Sequence, residues 1–182
     1  MNRVIPIDNE QKLIEIKEKL KNKGTMPLLL WTFGVNTSLR ISDILPIQVK
    51  DVMGDKLYLK EKKTGKRQEI VLNKGITDIL DGYIKNMQPD DYLFKSRQGN
   101  NKPITRQRAS QIIKEAVKAT GMSADKISCH SMRKSRAKKI YHQTGDIALV
   151  MKMLNHSSQA VTLRYLGIEQ SLIDEINMEI VL

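Results

Sequence analysis

A lone cysteine, Cys129, excludes an internal disulfide framework and suits a reducing cytoplasm. No apolar run is long enough to span a bilayer, and Met1-Asn2-Arg3-Val4-Ile5-Pro6 lacks the apolar core of a signal peptide. No repeat, low-complexity tract or linker interrupts the 182 residues, a length within the normal size of one domain and enough for a sizeable core. Acids are the scarce charged class: 20 Asp and Glu stand against 31 Lys and Arg, for a net charge of +11. From Asn101 to Ile140 there are eleven basic residues and two acids, Glu115 and Asp125; from Ile168 to Leu182 there are four acids and no base. A basic chain of this kind favours a polyanionic partner, nucleic acid first and an acidic membrane second.

The patterning predicts a mainly α fold with a small antiparallel β-hairpin. Asp8 with Gln11 predicts a helix start, and Leu13, Ile16 and Leu20 its apolar stripe, ended by Gly24. Thr25 predicts the cap of a second, buried helix through Val35, with Pro27 in its first turn. A short helix follows Arg40 and closes near Pro46. Lys56 to Lys60 and Gln68 to Leu72 alternate as strands around a cationic turn, Lys62-Lys63-Thr64-Gly65-Lys66-Arg67. Ile76, Ile79, Leu80 and Tyr83 have helical spacing in Asn73 to Met87. Thr105 predicts the cap of a helix burying Ile112, Ile113, Ala116 and Val117.

The chemistry-bearing residues gather in the last third. His130 and Arg133, three apart, share a helix face that continues through Ala137, Ile140 and Tyr141. An arginine heading an apolar stripe is costly to bury unpaired, and a bound anion would remove that cost through a bidentate fork. Ile147, Val150, Met151 and Leu154 make the next stripe. Asn155 falls where a left-handed residue is wanted, in a turn that aims His156 away from the helix. Ser157 or Ser158 then caps a short helix that delivers Tyr165. Two histidines, an arginine and a tyrosine among basic residues suggest phosphate chemistry with a tyrosine nucleophile. A zinc set drawn from Cys129, His130, His142 and His156 fits no usual spacing.

Four stretches together resemble the catalytic domain of the tyrosine recombinases, the phage-integrase family. They are Ser38-Leu39-Arg40-Ile41-Ser42-Asp43-Ile44, Lys63-Thr64-Gly65-Lys66, His130-x-x-Arg133, and Leu154-Asn155-His156-Ser157-Ser158 followed by Thr162-Leu163-Arg164-Tyr165-Leu166. The resemblance covers essentially the whole chain and implies one catalytic domain over residues 1–182, without the N-terminal DNA-clamping domain of typical members. Lys134 departs from a frequent histidine, and Asn155 from the usual glycine.

The resemblance implies site-specific recombination of double-stranded DNA through a 3′-phosphotyrosyl intermediate, without cofactor or metal, in a cytoplasmic, DNA-associated protein of prokaryotic or phage origin. It implies an active-site set of Arg40, Lys63, His130, Arg133, His156 and Tyr165. Tyr165 would be the nucleophile, with Arg40 and Arg133 clamping the phosphate. His130 would take the phenol proton, His156 would hydrogen-bond the phosphate and Lys63 would protonate the leaving 5′-oxygen. Only the family register selects Lys63 among Lys62, Lys63 and Lys66. Asp43, one helical turn from Arg40, is read either as its ion-pair partner or as the group that holds it in place. A type IB topoisomerase shares the constellation, but the short spacing from the Leu154 block to Tyr165 argues against it. A non-catalytic DNA-binding regulator would have no reason to keep Tyr165. After Gly167 an apolar stripe of Ile168, Leu172, Ile173, Ile176 and Ile180 predicts self-association on DNA through the acidic tail.

Overall fold

The computed structural model describes residues 4–167 apart from Met53, Asp55 and Thr64, and also Met178 and Glu179. The apolar positions expected to form the tail stripe lie outside the described residues.

Helix α1 spans Glu10–Lys23. Its cap is Asn9, whose side chain accepts from the Lys12 amide, and not Asp8, which instead pairs with Lys138 of a later helix at 2.6 Å. Two adjacent residues can both cap, and the long-range ion pair decides which one does. Helix α2 is Thr25–Thr37, with Gly24 before it and Thr25 already its first residue rather than its cap. It carries Leu28, Leu29, Leu30, Trp31 and Phe33 into the interior. Each such side chain contributes about 1.5 to 3 kcal/mol of burial. Phe33 meets Phe94 edge-to-face, with ring centroids 5.9 Å apart.

A short helix α3, Ile41–Ile44, is followed by a 3-10 turn at Val49–Val52. Strands β1, Lys56–Lys60, and β2, Arg67–Val71, form the antiparallel hairpin, with Leu57 opposite Ile70. The second strand begins one residue earlier than alternation predicts, because Glu61 and Lys66 close the turn through an amide-to-carbonyl bond of 2.9 Å. Leu72 is buried just beyond the strand. Helix α4, Lys74–Ile84, stops a turn short of Met87. Tyr92 pairs in a single antiparallel bridge with Gln48. Helix α5, Arg106–Lys118, is capped by Thr105 as predicted.

Helix α6, Cys129–Thr144, starts in a capping box between Ser128 and Ser131. Helices α7, Ile147–Leu154, and α8, Gln159–Leu166, complete the described chain. Helix α6 serves two apolar clusters. Its first half gives Met132 to the main core formed with α1, α2, α4 and α5. Its second half gives Ala137 to a small core with Val150, Leu154 and Leu166. Gly34 of α2 permits the first contact, since a Cβ there would run into the Met132 thioether. The close approach brings the end of α2 beside Arg133, at the junction of the two clusters.

Candidate active site

Arg133 is 3% exposed. Its guanidinium donates through Nη1 to the Ser38 carbonyl and through Nη2 to the Leu154 carbonyl, the latter at 2.6 Å. Those carbonyls end α2 and α7, where unpaired C=O groups and the negative end of each helix dipole receive a cation. Ser38 turns the chain there in the left-handed region, φ 57°. Backbone carbonyls thus meet much of a burial cost that the sequence assigns to an anion. Burial still pulls the Arg133 pKa below its ordinary value, opposed by nearby Tyr165 and Glu61.

Arg40 stands just before α3, and its partner is not Asp43. Its Nη1 lies 2.8 Å from Oε2 of Glu61, which is 1% exposed. Asp43 instead accepts from the Lys62 amide through Oδ1 at 2.9 Å, so it docks the hairpin tip against α3. The second Asp43 oxygen, Oδ2, is buried without a hydrogen-bond partner. Glu61 is the hub of a polar network: Gln68 Nε2 donates to Oε1 at 2.7 Å, and Asn155 Nδ2 donates to Oε2 at 2.9 Å. Lys66 donates to Asn155 Oδ1 at 3.0 Å.

Asn155 ends α7 in the left-handed region, φ 53° and ψ 47°, as its place in the sequence predicts. The turn presents His156, whose Nδ1 lies 3.1 Å from the Thr162 hydroxyl of α8. That hydroxyl donates to the Ser158 carbonyl at 3.2 Å, so the ring N–H is assigned to Nδ1 and Nε2 is the open position. The His156 ring meets the Tyr165 ring edge-on, with centroids 5.2 Å apart. Lys134, buried on α6, sets its ammonium 4.9 Å from the centre of the same ring. The Tyr165 hydroxyl itself is buried without a hydrogen-bond partner. Burial raises its pKa, while Arg133 and then Arg40 pull it down.

On the open side, Arg40, Lys62, Lys63, Arg106 and His130 line a cleft of about 400 Å³. His130 is exposed at the head of α6. Crowding by the surrounding protein, then Arg133, Arg40, Lys134 and Arg106, hold its pKa below the ordinary value. His156 is pushed down to about 4, by burial first and by Arg133, Arg40 and Lys63 after it. The predicted residues therefore converge. Arg40, Lys63 and His130 share the cleft, Arg133 lies buried with the half-buried His156 and Tyr165 close by, and both arginines act on both histidines and on the phenol. Cys129 is buried and its thiol pushed up to about 11. Among the described residues, no three His, Cys, Asp or Glu side chains are placed to hold a metal ion.

Sequence reasoning misses Glu61, the Asn155 side chain, Thr162 and the packing of Lys134 on Tyr165. Glu61 did leave a signal: it is the lone acid between Lys56 and Arg67.

The phage integrase family profile matches residues 3–171. The chain is 42% identical over 171 residues to the probable integrase/recombinase YoeC of Bacillus subtilis, covering 93% of each. The chain belongs to the phage integrase family. With that comes its class, a tyrosine recombinase of the DNA strand transferase type. The tyrosine recombinase XerD of Staphylococcus haemolyticus is 23% identical over 176 residues; the match covers 92% of this chain but 59% of XerD. The structure of XerH recombinase bound to difH superimposes with a TM-score of 0.75 at 19% identity, over 96% of this chain and 54% of XerH. The recombinase thus has the fold of these enzymes while spanning little more than half the length of XerD or XerH. No described helix is long and apolar enough to cross a membrane.

Proposed function

We propose that this recombinase cleaves and rejoins double-stranded DNA through Tyr165, by way of a 3′-phosphotyrosyl link. The observation that carries the reading is the Tyr165 hydroxyl, buried close to the Arg133 guanidinium but with no well-formed hydrogen bond, in the field of Arg133 and Arg40. An unsatisfied buried hydroxyl is costly, and a structural tyrosine in such a place would be replaced by phenylalanine at little loss. XerH, of the same fold, is solved on its difH substrate, and the basic cleft lined by Arg40, Lys63, Arg106 and His130 has the chemistry to receive a phosphodiester.

In this reading the phenol oxygen bonds to phosphorus and the P–O5′ bond breaks. The phenol proton passes to His130, which is neutral at neutral pH and thus able to accept it. The departing 5′-oxygen takes a proton from Lys63. Arg40 and Arg133 neutralise charge that grows on the non-bridging oxygens. His156 hydrogen-bonds one of them through Nε2 once the arriving anion has raised its affinity for a proton. Covalent capture conserves the bond, so a 5′-hydroxyl of another strand can attack the phosphotyrosine and release the enzyme without ATP. Protomers meet on DNA through the acidic tail, which suits protein better than DNA as a partner. Incubation with nicked suicide DNA carrying candidate sites tests the chemistry: a covalent adduct with wild type and none with Tyr165→Phe is expected. An adduct of normal yield in the variant, or none with wild type on any site, overturns the reading.

A further inference from the structure

Glycine is the ordinary resident of the left-handed position after a helix, because it carries no Cβ to strain. At the end of α7 the position is held by Asn155, which tolerates the conformation and adds an amide. That amide is engaged at both ends. Its Nδ2 donates to Glu61 Oε2 at 2.9 Å, and its Oδ1 accepts from Lys66 Nζ at 3.0 Å. The same Glu61 oxygen takes the Arg40 guanidinium at 2.8 Å. Three separate segments meet through one side chain: the Arg40 segment before α3, the hairpin that carries Lys63, and the turn that presents His156. Main-chain bonds from Asn155 and His156 to the last turn of α7 fix the turn to its own helix only. Arg133, through the Ser38 and Leu154 carbonyls, also ties the end of α7 to the chain before Arg40; the Asn155 amide adds the direct links from the turn to the hairpin and to the Glu61–Arg40 pair.

We propose that Asn155 is a positioning residue for strand cleavage: its amide locks the His156 turn to the Glu61–Arg40 pair and to the Lys66 end of the hairpin. Arg40, Lys63 and His156 then hold one relative geometry before DNA arrives, so their alignment is not left to the encounter. The inference rests on the active-site reading above, and the test separates the two.

Asn155→Gly keeps the left-handed turn and deletes the amide, so its melting temperature should stay close to wild type. Asn155→Asp keeps the size but cannot donate to Glu61, and it serves if the glycine variant is poorly folded. On suicide DNA, the single-turnover cleavage rate of either variant should fall at least tenfold at saturating DNA, with the dissociation constant for DNA changed less than threefold. A residue that only supports the fold would lower the melting temperature without that split between rate and binding. The second readout needs no DNA. The His156 ring, followed by NMR against pH in the free protein, should titrate at least one unit higher in Asn155→Gly, because the released turn gains water. Unchanged cleavage, or an unchanged His156 titration, overturns the proposal. If wild type forms no adduct, the active-site reading fails, and the His156 titration alone still decides whether Asn155 locks the turn.

Discussion

The Arg40 guanidinium is held by Glu61, 21 residues along the chain, and not by Asp43 in its own helical turn. The consequence is mechanical. The residue before α3 is tied to the start of the hairpin turn, so the position of Arg40 is fixed to the turn that carries Lys63. Asp43 completes the clamp from the other side by accepting the Lys62 amide.

Removing Glu61 tests this directly. Glu61→Ala should leave a largely buried guanidinium without its carboxylate and two amide donors without an acceptor. Breaking a buried pair from one side costs about 3 kcal/mol. Glu61→Gln preserves shape and should cost roughly half as much, since a charge-assisted bond becomes a neutral one. Equilibrium urea unfolding measures both, and a Glu61→Ala variant as stable as wild type would show that water satisfies Arg40.

Most of the elements were legible because their signals are local. The cap Thr105, the left-handed Asn155 and the hairpin turn each depend on residues within one turn of chain, and of the two candidates Ser157 and Ser158 it is Ser158 that caps α8. His130, Arg133, His156 and Tyr165 stand out by their spacing, whereas Arg40 and Lys63 are singled out only by the family resemblance. What stayed hidden was partnership across distance. Nothing near Arg40 in sequence indicates that an acid 21 residues on outcompetes Asp43. Likewise, Arg133 looks like an arginine in need of an anion until two helix ends from elsewhere supply their carbonyls. Spacing gives the face a residue occupies, and tertiary packing decides what it touches.

Tyr165 should show stability and function in opposition. Its hydroxyl is buried without a well-formed hydrogen bond. Tyr165→Phe removes an unsatisfied polar atom, so the variant should be as stable as wild type or more stable by about 1 kcal/mol. It should still bind DNA, and it should form no adduct. Thermal melting together with the suicide-substrate assay reads both. A marked loss of stability would mean that the hydroxyl has a partner in solution.

Acid should weaken the fold through His156. Its folded-state pKa lies near 4 against an ordinary 6.5. Between those values the unfolded chain binds the proton that the folded one refuses, so stability falls as pH drops from about 6.5 towards 4. His130, shifted the same way, adds to the slope. Urea midpoints across this range should decline with acid in wild type and decline less in His156→Asn. Equal slopes would place the pH sensitivity elsewhere.

Three lysines surround the hairpin tip, and the structure treats them differently. Lys66 turns to Asn155, 3.0 Å away, and does not line the cleft. Lys62 and Lys63 do line it, with Arg40 and His130. Lys62 is also the residue whose amide is anchored on Asp43. An exposed side chain one residue beyond that anchor can reach a leaving oxygen in the cleft while its backbone stays fixed, which suits Lys63 to the general acid's work. Lys63→Ala should therefore cleave ordinary DNA poorly, by a factor of roughly a hundred or more for a lost general acid. A substrate with sulfur at the 5′-bridging position releases a thiolate that needs no proton, and on it Lys63→Ala should recover most of the wild-type rate. Lys66→Ala should show a smaller defect that sulfur does not repair, because Lys66 contributes to alignment rather than proton transfer. Single-turnover cleavage of both substrates by Lys62→Ala, Lys63→Ala and Lys66→Ala separates the roles. Sulfur rescue confined to Lys62→Ala or Lys66→Ala would move the general acid to that residue.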